Sequence, residues 1–239
     1  MIEDTLRGFF RSFGRAPLAW LGLLVVATGT DLVDLVFGLT GKGFSNLQIA
    51  SLTLRIVGVI WFGAVALRRL AGSPANAWRP DGGFLFFLIW QIALFAAEGA
   101  LGFFMAAAKN IAAFAAIIPD PFTLSLILTG LAAPLIELLN LRVAPWVVAR
   151  TARVREMTFG VAWRGMRGNW AAAAKAYIVL IVPLFVVHYG LTVWLQRAHI
   201  PQHLKIAWTV FDGVESVVML VLSPSLFVAA FTRAKSRMA

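Results

Sequence analysis

Apolar residues occur in six long blocks along this chain, and short polar segments separate them. The blocks lie near 17–39, 47–67, 84–108, 122–148, 171–195 and 206–231. Each block is long enough to cross the hydrocarbon core of a bilayer as an α-helix. Together they leave no stretch for a separate soluble domain. The pattern therefore predicts an all-α fold, a single integral membrane domain over residues 1–239 that forms a polytopic bundle of six transmembrane helices.

Two segments that precede a block repeat their apolar residues with the period of an amphipathic helix. Before span one the apolar stripe consists of Leu6, Phe9, Phe10 and Phe13. Before span five it consists of Phe159, Trp163, Met166 and Trp170. Arginines lie off both stripes. This arrangement predicts amphipathic interfacial helices that lie flat on the membrane before spans one and five.

Basic residues are concentrated in the segments that would lie on one side of the bundle. The N-terminus, the C-terminus and two of the connections hold most of the 21 lysines and arginines. By the positive-inside rule, both termini face the cytoplasm of a bacterial inner membrane. The net charge of +10 then indicates anionic lipid head groups as partners, and not nucleic acid. This predicted basic face consists of Arg7, Arg11, Arg153, Arg155, Arg164 and Arg167.

Composition excludes several classes of protein. The chain is 60% hydrophobic and 13% charged, with a mean hydropathy of +0.83, which is too apolar for a soluble domain. It has no cysteine, so disulfides and cysteine-ligated metals are excluded. His199 and His203 have the spacing of helical metal ligands, but Pro201 stands between them and no third ligand is near. No catalytic signature is present, so no enzyme activity, cofactor or metal is predicted.

Ionisable residues also occur inside the predicted spans, where each needs a partner or a function. Counted from the outer ends, seven of them lie about 7–15 Å deep and share one layer of the outer half. They are Asp31, Asp34, Arg55, Glu98, His188, Asp212 and Glu215. Glu137 belongs to the inner side of span four, where Lys175 is its expected partner.

Two interpretations of this layer remain open. In the structural one, Arg55 pairs with Asp31 or Asp34, and some of the remaining acids are protonated because desolvation disfavours their charged form. The pairs then only fix the helix register. In the functional one, the acids line a cavity, open to the outside, that holds a cation, an amine or a transferred proton.

The passage TFGVAWRGMRGNWAAAAKAYIVLIVPLFVV resembles the membrane domains attached to some glycerophosphoryl diester phosphodiesterases, and related uncharacterised six-helix bacterial families. In those proteins an amphipathic segment with an Ala-Trp-Arg-like and an Arg-Gly-Asn-like run also precedes a span. The resemblance implies the six-span layout. It implies no hydrolase activity, because the soluble phosphodiesterase domain is missing here, and it carries over no functional residues.

The leading functional prediction is a non-enzymatic accessory or scaffold protein. Its basic cytoplasmic face would bind anionic lipid or a partner subunit, either another membrane protein or a second copy of the chain. The alternative is a small transporter or channel that uses the acidic layer as a cation or proton site. The two hypotheses differ in whether the acids project into one shared cavity.

Overall fold

The computed structural model describes residues 1–15, 17–37, 46–72, 77–107, 116, 121–154, 157–197 and 200–237, and most of these residues are helical. We number the main helices in chain order: α1 (Ile2–Arg15), α2 (Pro17–Phe37), α3 (Asn46–Leu70), α4 (Gly82–Ala107), α5 (Pro121–Asn140), α6 (Ala144–Thr151), α7 (Phe159–Gly165), α8 (Trp170–Leu180), α9 (Val182–Arg197) and α10 (Gln202–Ser236). The all-α prediction is confirmed.

Five helical segments within this part of the chain are long and apolar enough to cross a membrane. They are Pro17–Phe37, Ile49–Leu70, Gly82–Met105, Trp170–Leu191 and Gln202–Ser236. A sixth is obtained if Gly130–Asn140 and Ala144–Thr151, which meet at 76°, count as one broken span. The multi-pass architecture is therefore that of a membrane protein, and the cytoplasmic position of the termini stays a prediction.

Span four differs most from its prediction, because residues 122–148 do not form one straight helix. α5 ends at Asn140, a short turn follows, and α6 begins with Pro145 in its first turn. Proline suits the start of a helix, since its missing N–H has no intrahelical partner there. The bend directs α6 into the interior of the bundle, where Ala144, Val147 and Val148 are fully buried.

Span five is also divided, at Ile181 between α8 and α9. Pro183 explains the break, because proline has no N–H to donate and its ring clashes with the carbonyl four residues earlier. The two halves still form one continuous apolar segment over Trp170–Leu191.

The central helix of the bundle is α10, which packs against α1, α2, α3, α6, α7, α8 and α9. Its buried positions include Leu222, Leu226 and Ala230, and they join the main core with residues of α3, α6 and α8. The core is therefore densest around α6 and the C-terminal half of α10.

Both segments predicted to be interfacial helices are helical, as α1 and α7, and their position at a membrane surface stays a prediction. On α1 the buried residues are Thr5 and Ser12, whereas Phe10 and Phe13 are 70% and 40% exposed. Gly8 lies on the same buried face, where an added Cβ would come within 3.2 Å of the Ser225 Cβ. Small residues thus bring α1 close to α10. Leu6 and Phe9 of the predicted stripe pack against the core, whereas Phe10 and Phe13 point away from the bundle.

α7 is shorter than the predicted amphipathic helix. It begins at Phe159, after the N-cap Thr158, and ends at Gly165. Phe159 and Trp163 are exposed, whereas Met166, beyond the helix end, is fully buried in the core. The predicted stripe is therefore split between the surface and the core.

Candidate functional site

A cavity of about 440 Å³ lies within the bundle, between α2, α3, α4, α5, α9 and α10. Five aromatic residues contribute to its walls: Phe87, Phe95, Phe185, Tyr189 and Phe227. The larger polar side chains that line it are Arg55, Gln91, Glu98, Glu137 and His188. Three members of the predicted ionisable layer, Arg55, Glu98 and His188, thus line one cavity.

Asp31 belongs to the same region through Arg55. Arg55 Nη1 on α3 donates a hydrogen bond to Asp31 Oδ1 on α2, and both side chains are mostly buried. Next to this pair, Ser51 Oγ donates to the carbonyl of Thr30 at 3.4 Å. The ion pair therefore joins the first two spans, as the structural interpretation predicted. The side chain of Asp34 lies outside the described part of the chain, so that half of the prediction stays untested.

His188, Asp212 and Glu215 form a second group beside the cavity. His188 Nδ1 on α9 lies 2.7 Å from Asp212 Oδ1 and 3.7 Å from Glu215 Oε2, both on α10. The first distance is that of a hydrogen bond, and the second is too long for one. Asp212 and Glu215 are three residues apart on one helix, so they share a face and approach the same imidazole.

This group has the ligand types of a divalent metal site, because its imidazole nitrogen and two carboxylate oxygens all lie within 4.8 Å of one another. Two ligands of one tetrahedral zinc ion stand about 3.3 Å apart, given metal–ligand bonds of about 2.0 Å. The 2.7 Å separation between His188 Nδ1 and Asp212 Oδ1 is shorter than this and is that of a close ion pair. Of the two histidines that follow α9 in the sequence, His203 is exposed, and His199 lies outside the described residues.

Glu137 is the site residue that sequence reasoning missed. Its Oε2 accepts a hydrogen bond from Asn140 Nδ2 at 3.1 Å, and Asn140 Oδ1 accepts one from Trp90 Nε1 at 3.2 Å. It lines the same cavity as Glu98, whereas its expected partner Lys175 is exposed at the start of α8. The i, i+3 spacing of Glu137 and Asn140, after the helix-interior Pro134, was the available signal.

Glu98 and Glu137 differ from the other acids near the cavity. Asp31 has Arg55, and Asp212 has His188. Neither Glu98 nor Glu137 makes an ion pair with a basic side chain in the part of the chain that the structure describes. Two carboxylates without a basic partner thus face one aromatic-walled space.

The predicted basic face consists of residues in different surroundings. Arg7 makes an exposed ion pair with Glu3 at 2.5 Å, and Arg153 Nε lies 3.2 Å from Asp81 Oδ2. Arg153 also has a positive φ of 60°. The remaining described members, Arg11, Arg164 and Arg167, are exposed, and Arg155 lies outside the described residues.

No protein-family model matches the chain, and neither a comparison with curated proteins nor one with solved structures finds a match. The resemblance to the membrane domains of glycerophosphoryl diester phosphodiesterases stays a prediction.

Proposed function

We propose that this protein binds a small organic cation in the central cavity and carries it across the membrane. One observation supports the proposal above all: Glu98 and Glu137 line one cavity with aromatic walls and have no basic partner among the described residues. This is the alternative function that the sequence suggested, with a different pair of acids: of the predicted layer's described acids only Glu98 lines the cavity, and Glu137 is the second carboxylate.

The energetic argument concerns charge within a membrane span. An ionised carboxylate is costly there unless it is paired or solvated. A bound ammonium group would supply the missing positive charge. Two unit charges 4 Å apart attract each other by about 4 kcal/mol at an effective dielectric constant of 20. Cations also bind the faces of aromatic rings, with about 0.5–2 kcal/mol per contact.

Size favours an organic solute over a bare ion. The cavity volume of about 440 Å³ is large for a single metal ion. It falls within the range of about 300–1,000 Å³ that small-molecule sites occupy. The other charged groups beside the cavity neutralise each other, since Arg55 pairs with Asp31, and His188 pairs with Asp212. These pairs leave Glu98 and Glu137 available to the solute.

Calorimetric titration of the detergent-purified protein tests the proposal. The probe is benzyltrimethylammonium, and its control is neopentylbenzene, a neutral molecule of the same shape. Glu98→Gln and Glu137→Gln should each weaken binding of the cation by at least about tenfold, because a third of the attraction estimated above already corresponds to that factor. Glu3→Gln is the matched control, since this glutamate is exposed on α1.

Uptake of the same cation by proteoliposomes then tests transport. Uptake should fall in the two cavity variants and remain in the control. Equal affinity for the charged and the neutral probe, or cation binding that both cavity variants leave unchanged, would refute the proposal.

The accessory or scaffold function is the second candidate. A cluster of arginines between α1 and α10 favours its lipid-binding part. We further propose that both termini face the cytoplasm of a bacterial inner membrane, because arginines are concentrated at both ends of the chain.

A further inference from the structure

We propose that a basic pocket between α1 and the C-terminal end of α10 binds the phosphate of an anionic lipid head group. The pocket has a volume of about 360 Å³. Four arginines line it: Arg7, Arg11, Arg15 and Arg233. The inference deepens the second candidate function and is independent of the central cavity, so loss of cation binding would leave it standing.

The sequence and the fold both contribute to this concentration of charge. Arg7, Arg11 and Arg15 are spaced four residues apart, which places them along one face of α1. Like charges at this spacing repel each other and destabilise an isolated helix. Arg233 is added by α10 from the other end of the chain. A bound anion would relieve the repulsion among all four.

Acidic side chains neutralise only part of this charge. Asp4, the one acid that lines the pocket, accepts hydrogen bonds from Arg233 Nε at 3.0 Å and Nη2 at 2.7 Å. Four arginines and one aspartate give the lining a formal charge of +3. The guanidinium groups of Arg11 and Arg15 make no ion pair or hydrogen bond within the described residues. Both therefore remain available to a ligand.

The chemistry of the pocket matches a phosphate that belongs to a lipid. Guanidinium groups bind phosphate oxygens in a bidentate manner, and arginine is common at such sites. Apolar residues also line the pocket: Leu70, Val228 and Ala229. Phe10 and Phe13, which are close in sequence to the arginines of α1, are exposed, as residues that contact acyl chains would be. A free phosphate ion would make no favourable contact with these apolar surfaces.

The proposed orientation of the chain agrees with this ligand. The pocket lies where α1 leads into α2, where α3 ends and where α10 ends. In the predicted topology these positions are at the cytoplasmic surface. Anionic lipids give the cytoplasmic leaflet its negative potential, and each nearby arginine contributes about fivefold in affinity.

Native mass spectrometry of the full chain, after incubation with phosphatidylglycerol or phosphatidylcholine, tests the proposal. The wild-type protein should retain phosphatidylglycerol selectively. The double variant Arg11→Gln, Arg15→Gln should bind it about thirtyfold more weakly, at about fivefold per arginine. The control is Arg164→Gln, Arg167→Gln, which removes the same charge from exposed positions at α7.

Asp4→Asn provides a variant with the opposite effect. The asparagine oxygen still accepts hydrogen bonds from Arg233, but the negative charge of the pocket is gone. Retention of phosphatidylglycerol should therefore rise about fivefold, an effect that damage to the fold would not produce. Circular dichroism of all variants checks their folding.

Three results would overturn the proposal. One is equal loss of lipid in the two double variants, which would show that general surface charge attracts the lipid. Another is equal retention of phosphatidylglycerol and phosphatidylcholine. The third is displacement of the lipid by inorganic phosphate at equal concentration, which would identify the pocket as a site for the free ion.

Discussion

Asp81 joins several segments of the bundle at the start of α4, and its replacement tests how the fold is held together there. It directly precedes α4, and its Oδ1 accepts hydrogen bonds from the backbone N–H groups of Gly83 at 3.0 Å and Phe84 at 3.2 Å. This is the geometry of an N-cap. Arg68 donates to the same oxygen, and Arg153 lies beside the other.

Arg68 is only 2% exposed and connects three segments of the chain. Besides Asp81, it donates to the carbonyls of Thr151 at 3.0 Å and Arg79 at 2.7 Å. Burial would raise the pKa of Asp81, but the hydrogen bonds from Phe84, Arg68 and Gly83 and the charge of Arg68 together lower it below its ordinary value. The aspartate is therefore ionised and paired near neutral pH.

We expect Asp81→Asn to lower the free energy of unfolding by about 3 kcal/mol. Removing one partner of a buried ion pair costs about 3–5 kcal/mol, because the other charge stays buried without compensation. The lower end applies here, since Arg68 keeps its carbonyl acceptors and asparagine is itself a good N-cap. An exposed pair should matter far less, with about 0–1 kcal/mol.

Unfolding by sodium dodecyl sulfate in mixed micelles, followed by tryptophan fluorescence, measures this difference. Glu3→Gln is the control, because it breaks a pair in which Arg7 and Glu3 are 63% and 75% exposed. Arg68→Met combined with Asp81→Asn should cost clearly less than the sum of the single variants, because both remove one interaction. If Asp81→Asn cost no more than Glu3→Gln, the buried pair would not stabilise the fold as argued.

Two further predictions concern stability at acidic pH and the close packing of helices at glycines. The pKa of Asp4 is lowered, mainly by its hydrogen bond from Arg233, and the pKa of Asp81 is lowered as described above. Both ionised aspartates therefore stabilise the fold at pH values above their ordinary pKa of 3.8. This stabilisation is lost as the pH falls through the lowered pKa values of the folded state, so less detergent should unfold the protein at pH 3 than at pH 6. In the Asp81→Asn variant, the amounts of detergent needed at the two pH values should differ less. Gly213→Ala should cost about 1–3 kcal/mol in the same assay, because its Cβ would lie 3.0 Å from the Cβ and 3.1 Å from the Cα of Thr28. Gly99→Ala, with nothing within 4 Å, should cost nothing.

The number and position of the apolar helices could be predicted from hydropathy, but the direction of α6 could not. Ala144, Val147 and Val148 are apolar and adjoin a long apolar block, so they extend span four in any hydropathy profile. Hydropathy does not distinguish lipid from protein interior, because both are apolar surroundings. The 76° turn is therefore visible only in the structure.

The face that α1 buries against the bundle could not be predicted from its amphipathic pattern, for a related reason. An amphipathic pattern identifies two faces, and in a soluble protein the apolar one packs inward. At a membrane the apolar face has lipid available, and small residues allow the closest helix contacts. Thr5 and Ser12 accordingly face α10, whereas Phe10 remains exposed.

The candidate site could be predicted only in part, because depth was counted along straight helices. That count correctly grouped Arg55, Glu98 and His188, which line one cavity. It assigned Glu137 to the inner side, since a straight span reaching residue 148 leaves this residue near the inner end. In the structure α5 ends three residues after Glu137, so the end of the helix itself lies within the bundle.

The broken span explains why Glu137 reaches the cavity. A helix that ends at membrane depth leaves carbonyl groups that water does not solvate, and such a break is tolerated only where protein supplies the donors. Here the Leu138 carbonyl accepts from the Trp170 indole at 3.1 Å, and the carbonyls of Leu139 and Asn140 accept from N–H groups of the turn at 3.1 and 2.9 Å. Because these contacts stabilise the break, the last turn of α5 holds Glu137 beside the cavity. The break between α5 and α6 therefore positions the carboxylate on which the proposed cation site depends.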